Sequence, residues 1–156
     1  MSSLVPARER GSPALVVTAG ARSCALPLEH VVETMRPLPI EPLAGMPPFV
    51  LGLAVLRGEP TPVVDLGALL GTSGGDPPGR FVTLRLGERR VALGVRTVAG
   101  FTVLDAAGLS PLPPLVAGGS EAIAALGLRD GLLLLVLQTA RLLPEQVWTA
   151  LAEERP

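Results

Sequence analysis

Residues 50–71 read VLGLAVLRGEPTPVVDLGALLG. An apolar run, the pair Arg57-Gly58, and a second apolar run ending in Asp65-Leu66 describe two buried strands joined by a short polar turn. Arg57 is the only full charge between Glu41 and Glu59, and it stands next to the residue type that lets the backbone fold tightly back. A charged hairpin turn is by default a solvated one; the alternative gives Arg57 a task at the lip of the core.

The 156 residues, 48% hydrophobic, suffice for one compact domain with a real core or two very small ones sharing it. A formal net charge of -1 and an aromatic content of 3% supply neither the basic surface nor the stacking platforms that nucleic acid requires. The single cysteine, Cys24, forms no internal disulfide, and one histidine builds no His-rich metal site, which suits a reducing compartment. The N-terminal MSSLVPARERGSP has charges with no apolar stretch of signal-peptide length behind them, and the aliphatic run Leu132 to Leu137 is too short to span a bilayer. The expectation is a cytoplasmic chain without membrane insertion. Glycine (18) and proline (17) exceed a fifth of the sequence, but they fall between apolar runs, as punctuation of many short strands does.

In chain order, residues 1–13 read as a tail. The sequence from Ala14 gives a strand, a turn at Gly20, a second strand to Leu26, and then a short helix carrying Val31, Val32 and Met35, with Pro27 marking the change. Five prolines between Pro37 and Pro48 exclude helix and central strand there and imply a surface crossover. The stretch 72–79, TSGGDPPG, is the best internal boundary. Beyond it the pattern restarts: Gly20, Arg22, Ala25, Leu26 and Val31 recur as Gly87, Arg89, Ala92, Leu93 and Val98 at a constant offset of 67. More loosely, Leu56-Arg57-Gly58 matches Leu128-Arg129-Asp130-Gly131 with one residue of slippage, and Leu69-Leu70 matches Leu142-Leu143. Duplication predicts two similar small barrels, with a first lobe over 14–71, a linker over 72–79, a second lobe over 80–143 and a terminal helix over 144–154, together one domain over 14–152. In that helix Val147, Trp148 and Leu151 share a face, which makes the lone Trp an anchor rather than a ligand platform.

Catalytic signatures are missing. His30 has Glu29 and Glu33 nearby, but no Gly-x-Ser-x-Gly, His-Glu-x-x-His or Cys/His arrangement occurs, and solvated helix charges account for all three. There is no phosphate loop, and all thirteen basic residues are arginine. Nothing places a metal between Glu59 and Asp65, and Cys24 in a strand reads as a small buried hydrophobe. No catalytic residue, cofactor or metal site is expected, which leaves a protein-interaction module or, as the competing class, a small-molecule-binding barrel whose ligand would sit between lobes.

Pro47-Pro48-Phe49-Val50-Leu51-Gly52, Leu56-Arg57-Gly58 and Pro62-Val63-Val64-Asp65-Leu66, taken at this spacing, resemble the signature of CheW-like domains. Val31-x-Glu33, the pair Val95 and Val98, the Asp130-Gly131 turn and Leu142-Leu143 fall in family order. The resemblance implies a mostly β fold of two intertwined five-stranded β-barrels, with a short helix after the second strand and a C-terminal helix. It also implies a non-catalytic cytoplasmic adaptor, monomeric alone, joining the cytoplasmic tip of methyl-accepting chemoreceptors to the regulatory domain of the histidine kinase CheA at receptor arrays beneath the inner membrane. On that resemblance Val31, Glu33, Leu56, Arg57 and Val98 are receptor-binding and Gly58 shapes the turn. Val55, Arg96 and Pro27 stand where the family commonly has Asn, Asp and Asp, which alters the charge of the binding faces. A modulator that binds the kinase but no receptor, or an adaptor in a motility or regulatory pathway other than swimming, is the alternative.

Overall fold

A computed structural model describes residues 11–71, 76–111 and 121–154. The strands are β1 (Ser12–Ala19), β2 (Arg22–Pro27), β3 (Val31–Met35), β4 (Val50–Leu56), β5 (Glu59–Asp65), β6 (Arg80–Leu86), β7 (Arg89–Val95), β8 (Thr97–Leu104), β9 (Ile123–Arg129) and β10 (Leu132–Leu137), with helices α1 (Leu66–Leu69) and α2 (Glu145–Glu154). They form two five-stranded sheets, ordered β8-β1-β2-β10-β9 in the first lobe and β3-β6-β7-β5-β4 in the second. Advancing every strand by five converts one order into the other, so the duplication is a property of the topology as well as of the sequence. Each sequence half supplies strands to both sheets. The halves 14–71 and 80–143 are therefore the repeat units, whereas the second lobe is the contiguous stretch from β3 to β7 and the first lobe is made of what precedes and follows it. The lobes are intertwined, but their hydrogen-bonded ladders are open sheets rather than closed barrels: β8 and β9, and β3 and β4, remain as edges.

Three apolar clusters explain why so many strands read as continuous apolar runs. Leu15, Val17, Cys24 and Leu26 of the first lobe meet Val64, Val82, Leu84, Val91 and Leu93 of the second in the largest cluster, which lies between the sheets. The alternate residues Ala14, Val16, Ala25, Leu134 and Val136 fill the first lobe, and Ala54, Leu56, Val63, Phe81 and Ala92 fill the second. A strand buried on both faces has no polar alternation to show. Pro60 and Pro62 are tolerated in β5 because its parallel pairing with β7 covers only Val63 to Asp65, downstream of both.

β-Bulges switch strands from one cluster to another. In β3 the register shifts between Val31, opposite Leu84, and Glu33, opposite Thr83. Val31 packs on the interlobe core, whereas Met35 packs inside the second lobe. β8 and β4 bulge likewise, at Val16/Val17 of the facing strand and at Val50/Gly52. An inserted residue breaks the two-residue alternation, and this corrects the helix expected to carry Val31, Val32 and Met35. Only Leu28–His30 is helical, a single 3₁₀ turn, and Val31 is already extended. The expected tail over residues 1–13 is corrected too: Ser12 and Pro13 belong to β1 and pair with Leu104 and Val103, while residues 1–10 lie outside the described residues. The crossover from Pro37 to Pro48 has neither helix nor ladder strand, and it touches the second sheet through the bridge Glu41 to Leu53. That approach requires Gly52, at φ 142°, because a β-carbon there would collide with the Glu41 carbonyl oxygen.

The offset of 67 holds from β1 through β3, matching β6 through β8, and it grows to 73 for β4 and β5 against β9 and β10 because the connection between β8 and β9 is longer than that between β3 and β4. No slippage occurs inside the second match. Arg57-Gly58 (φ 52° and 81°) and Asp130-Gly131 (φ 54° and 78°) are equivalent two-residue hairpin turns with both central residues at positive φ.

Helix α2 seals the interlobe core with Val147, Trp148 and Leu151. Arg89 of β7 lies 4.9 Å from the centroid of the Trp148 ring and holds Glu145 by Nη1 to Oε1 at 2.7 Å and Nη2 to Oε2 at 2.9 Å. Trp148, 9% exposed, is the anchor expected from the helical spacing. Because the largest core is shared, both lobes should unfold in one transition, and Trp148→Ala should destabilise by about 3 kcal/mol; urea titration followed by circular dichroism checks both.

Candidate functional site

Arg57 occupies the first central position of the β4–β5 hairpin, where Asn, Asp and Gly are the preferred residues. A left-handed arginine is sterically costly and needs its surroundings to hold it. Glu33 on β3, the opposite edge of the same sheet, fixes its side chain: Arg57 Nε donates to Oε2 at 3.0 Å and Nη2 donates to Oε1 at 2.8 Å. The sheet curls until the turn after β4 reaches β3 through this side-chain pair. The Glu33 carboxyl is held below the usual carboxylate range chiefly by the hydrogen bond from Arg57, and the Arg57 guanidinium is correspondingly raised by Glu33. The side chains are 72% and 29% exposed, so solvent screens the charge interaction and its main effect is orientation.

Beside the pair opens a groove of about 210 Å³. Val32, 57% exposed, and Leu56 give it apolar walls, and Leu84 and Val91 close it toward the core. Two buried threonines line it, their hydroxyls bonded to backbone: Thr83 Oγ1 donates to the Glu33 carbonyl at 3.3 Å, and Thr61 Oγ1 donates to the Glu59 carbonyl at 3.2 Å. Arg85 and Arg90 stand on the rim, Arg90 within 3.5 Å of Glu59.

Of the residues expected to act together, Glu33, Leu56 and Arg57 line this groove, and Gly58 completes the turn. Val31 and Val98 do not line it. They are the repeat-related valines of β3 and β8, both half-buried against the interlobe core. Val32 was missed because its outward direction depends on the bulge that replaced the expected helix. Glu33 is no solvated helix charge but a strand residue in a bidentate pair. His30 is not a free charge either: its Nδ1 lies 2.6 Å from Oγ1 of buried Thr139, joining the 3₁₀ turn Leu28–His30 to the 3₁₀ turn Thr139–Arg141.

The groove holds hydrogen-bonding and apolar groups but no arranged nucleophile and base. Asp65 caps α1, accepting from the Ala68 N–H at 3.4 Å. Burial pushes the Cys24 thiol up to about 12, so it stays protonated and unreactive. Among the described residues no cluster of three His, Cys, Asp or Glu side chains could hold a metal ion, and no helix is long and apolar enough to cross a membrane.

The CheW-like domain family matches residues 13–147. The chain belongs to the CheW-like domain family. Its fold is similar to that of the scaffolding protein TtCheW from Thermoanaerobacter tengcongensis, with a TM-score of 0.71 at 19% identity over 82% of this chain and 89% of that one. No curated protein matches the chain. The family is one of non-catalytic scaffolds, and membership supports the coarse role of a chemotaxis adaptor.

A depressed carboxylate contributes its interaction fully above its ordinary value and loses it as pH falls through the lowered one. The Glu33 carboxyl carbon should therefore titrate in NMR with a midpoint below 4.5 and return toward that value in Arg57→Gln. An unchanged midpoint in the variant would separate the two residues in solution.

Proposed function

We propose that this CheW-like chain is an adaptor that couples the cytoplasmic tip of a chemoreceptor to the regulatory domain of the histidine kinase CheA. The observation that carries the receptor site is the Glu33–Arg57 pair: a sterically costly turn arginine, fixed bidentately at the edge of an apolar groove, is a preorganised contact rather than a stabilising one. Glu33, Leu56 and Arg57 would meet the receptor, with Gly58 permitting the turn. The exposed remainder of Val31 and Val98, at the lobe junction, would extend the contact toward the first lobe. Such a surface works by complementarity and asks for no catalytic group.

Arg57→Ala should leave stability nearly unchanged, since the side chain is largely solvent-exposed, while weakening receptor-tip binding by about tenfold or more and sparing kinase binding. Calorimetry with the isolated receptor tip and with the kinase regulatory domain measures both. Unaltered receptor affinity would remove the groove from the site.

A second version, binding the kinase without a receptor, draws support from Val55, which is 65% exposed beside the turn where the family commonly has Asn. A pull-down from the native host that recovers kinase and no receptor would favour it. In either version the chain alone should sediment as a monomer at all dilutions, and a tight concentration-independent dimer would count against this assignment.

A further inference from the structure

The internal repeat gives the residues of the groove counterparts in the first lobe, and these differ in one decisive way. At the offsets of the two repeat segments, Glu33 corresponds to Gly100 on β8 and Leu56 to Arg129 on β9. Arg129 pairs with Leu132, on the β10 face that carries Leu134 and Val136 into the lobe core, so it stands over the open end of that lobe as Leu56 does in the other. A β-carbon built on Gly100 would find Arg129 Nη2 as its nearest neighbour, at 3.9 Å. The guanidinium thus reaches across to the opposite edge strand, as Arg57 does, but the carboxylate that should face it is replaced by a glycine. Arg129 is half-buried and has no ion-pair partner among the described residues; Asp130, next in the chain, occupies the turn position equivalent to Arg57 and does not bridge to it.

Leu132, 67% exposed, shares the face of this cation, whereas the exposed Phe101 and Leu128 pair with Leu15 and Leu133 on the opposite face of the sheet. A guanidinium with a planar fork of donors is matched best by a carboxylate. The edge strands on either side favour an extended partner.

We propose that the open end of the first lobe docks an Asp or Glu side chain carried by an extended segment of a protein partner, its carboxylate occupying before Arg129 the place that Glu33 fills before Arg57 and its flanking residue meeting Leu132. This site is separate from the receptor groove and does not depend on its assignment. Isotope-labelled full chain is titrated with the capped peptides Leu-Glu-Leu and Leu-Gln-Leu while the amide of Gly100 and the Nε–H of Arg129 are followed by NMR. The glutamate peptide should shift both saturably and bind about tenfold more tightly than the glutamine peptide. Arg129→Gln should abolish that preference, and Arg129→Lys, which keeps the charge without the fork, should retain part of it; unchanged spectra elsewhere certify the fold of each variant. Equal affinities for the two peptides, a preference that survives Arg129→Gln, or no shift at Gly100 would overturn the proposal. Self-association of the wild-type chain that Arg129→Gln removes would assign the surface to a second copy and overturn the protein-partner form. Loss of receptor binding in Arg57→Ala leaves this result untouched, so the two sites fail separately.

Discussion

The structure depends on apolar burial between two sheets that cannot be pulled apart. Leu15, Val17 and Leu26 from one lobe and Val82, Leu84, Val91 and Leu93 from the other fill a common core, and α2 closes it. The lobe interiors are small by comparison: Ala14 and Ala25 in the first occupy the positions of Phe81 and Ala92 in the second. A small sheet with so little inside itself needs its outer face buried as well. The intertwined chain path provides this, since every repeat unit places strands in both sheets and neither lobe can separate without dismantling the other.

Bulged edge strands then convert this packing into surface. Burying both faces of a sheet requires strands that leave one core and enter another, and the register shifts in β3, β4 and β8 accomplish it. The same shift that sends Val31 inward turns Val32 outward beside Glu33 and brings the β3 edge under the β4–β5 turn. The groove is in this sense a by-product of how the second sheet ends, sharpened by one bidentate pair. Because the first sheet ends the same way, duplication placed an equivalent pair of positions on its two edges. Substitution then made the two pairs chemically unlike, with Glu33 and Arg57 facing each other in one and Gly100 facing Arg129 in the other.

Much of this was legible in the linear chain. The hairpin at Arg57-Gly58, the recurrence of Gly20 through Val31 at Gly87 through Val98, and the Trp148 face of the last helix are local signals: turn chemistry and periodicity act between residues close in sequence. The segment from Val31 to Met35 was misread for an equally local reason, since an extra residue in a strand imitates helical spacing. The internal equivalence of Arg57 with Asp130, rather than with Arg129, depended on backbone φ values that no residue type discloses for an arginine.

The sequence by itself determined the strand-rich class, the duplication, the glycine-containing turns at Arg57-Gly58 and Asp130-Gly131 and the family, because each is written in neighbouring residues or in an ordered series of motifs. Only the tertiary structure decided which sheet each strand joins, which valines lie within the core, and which charges find partners. Glu33 and Arg57 are 24 residues apart, and their meeting depends on the curl that brings the turn after β4 to β3. Gly100 and Arg129 meet by the same curl, and whether an arginine is paired is settled by what stands across the gap, a relation between distant edges that the chain does not spell out locally.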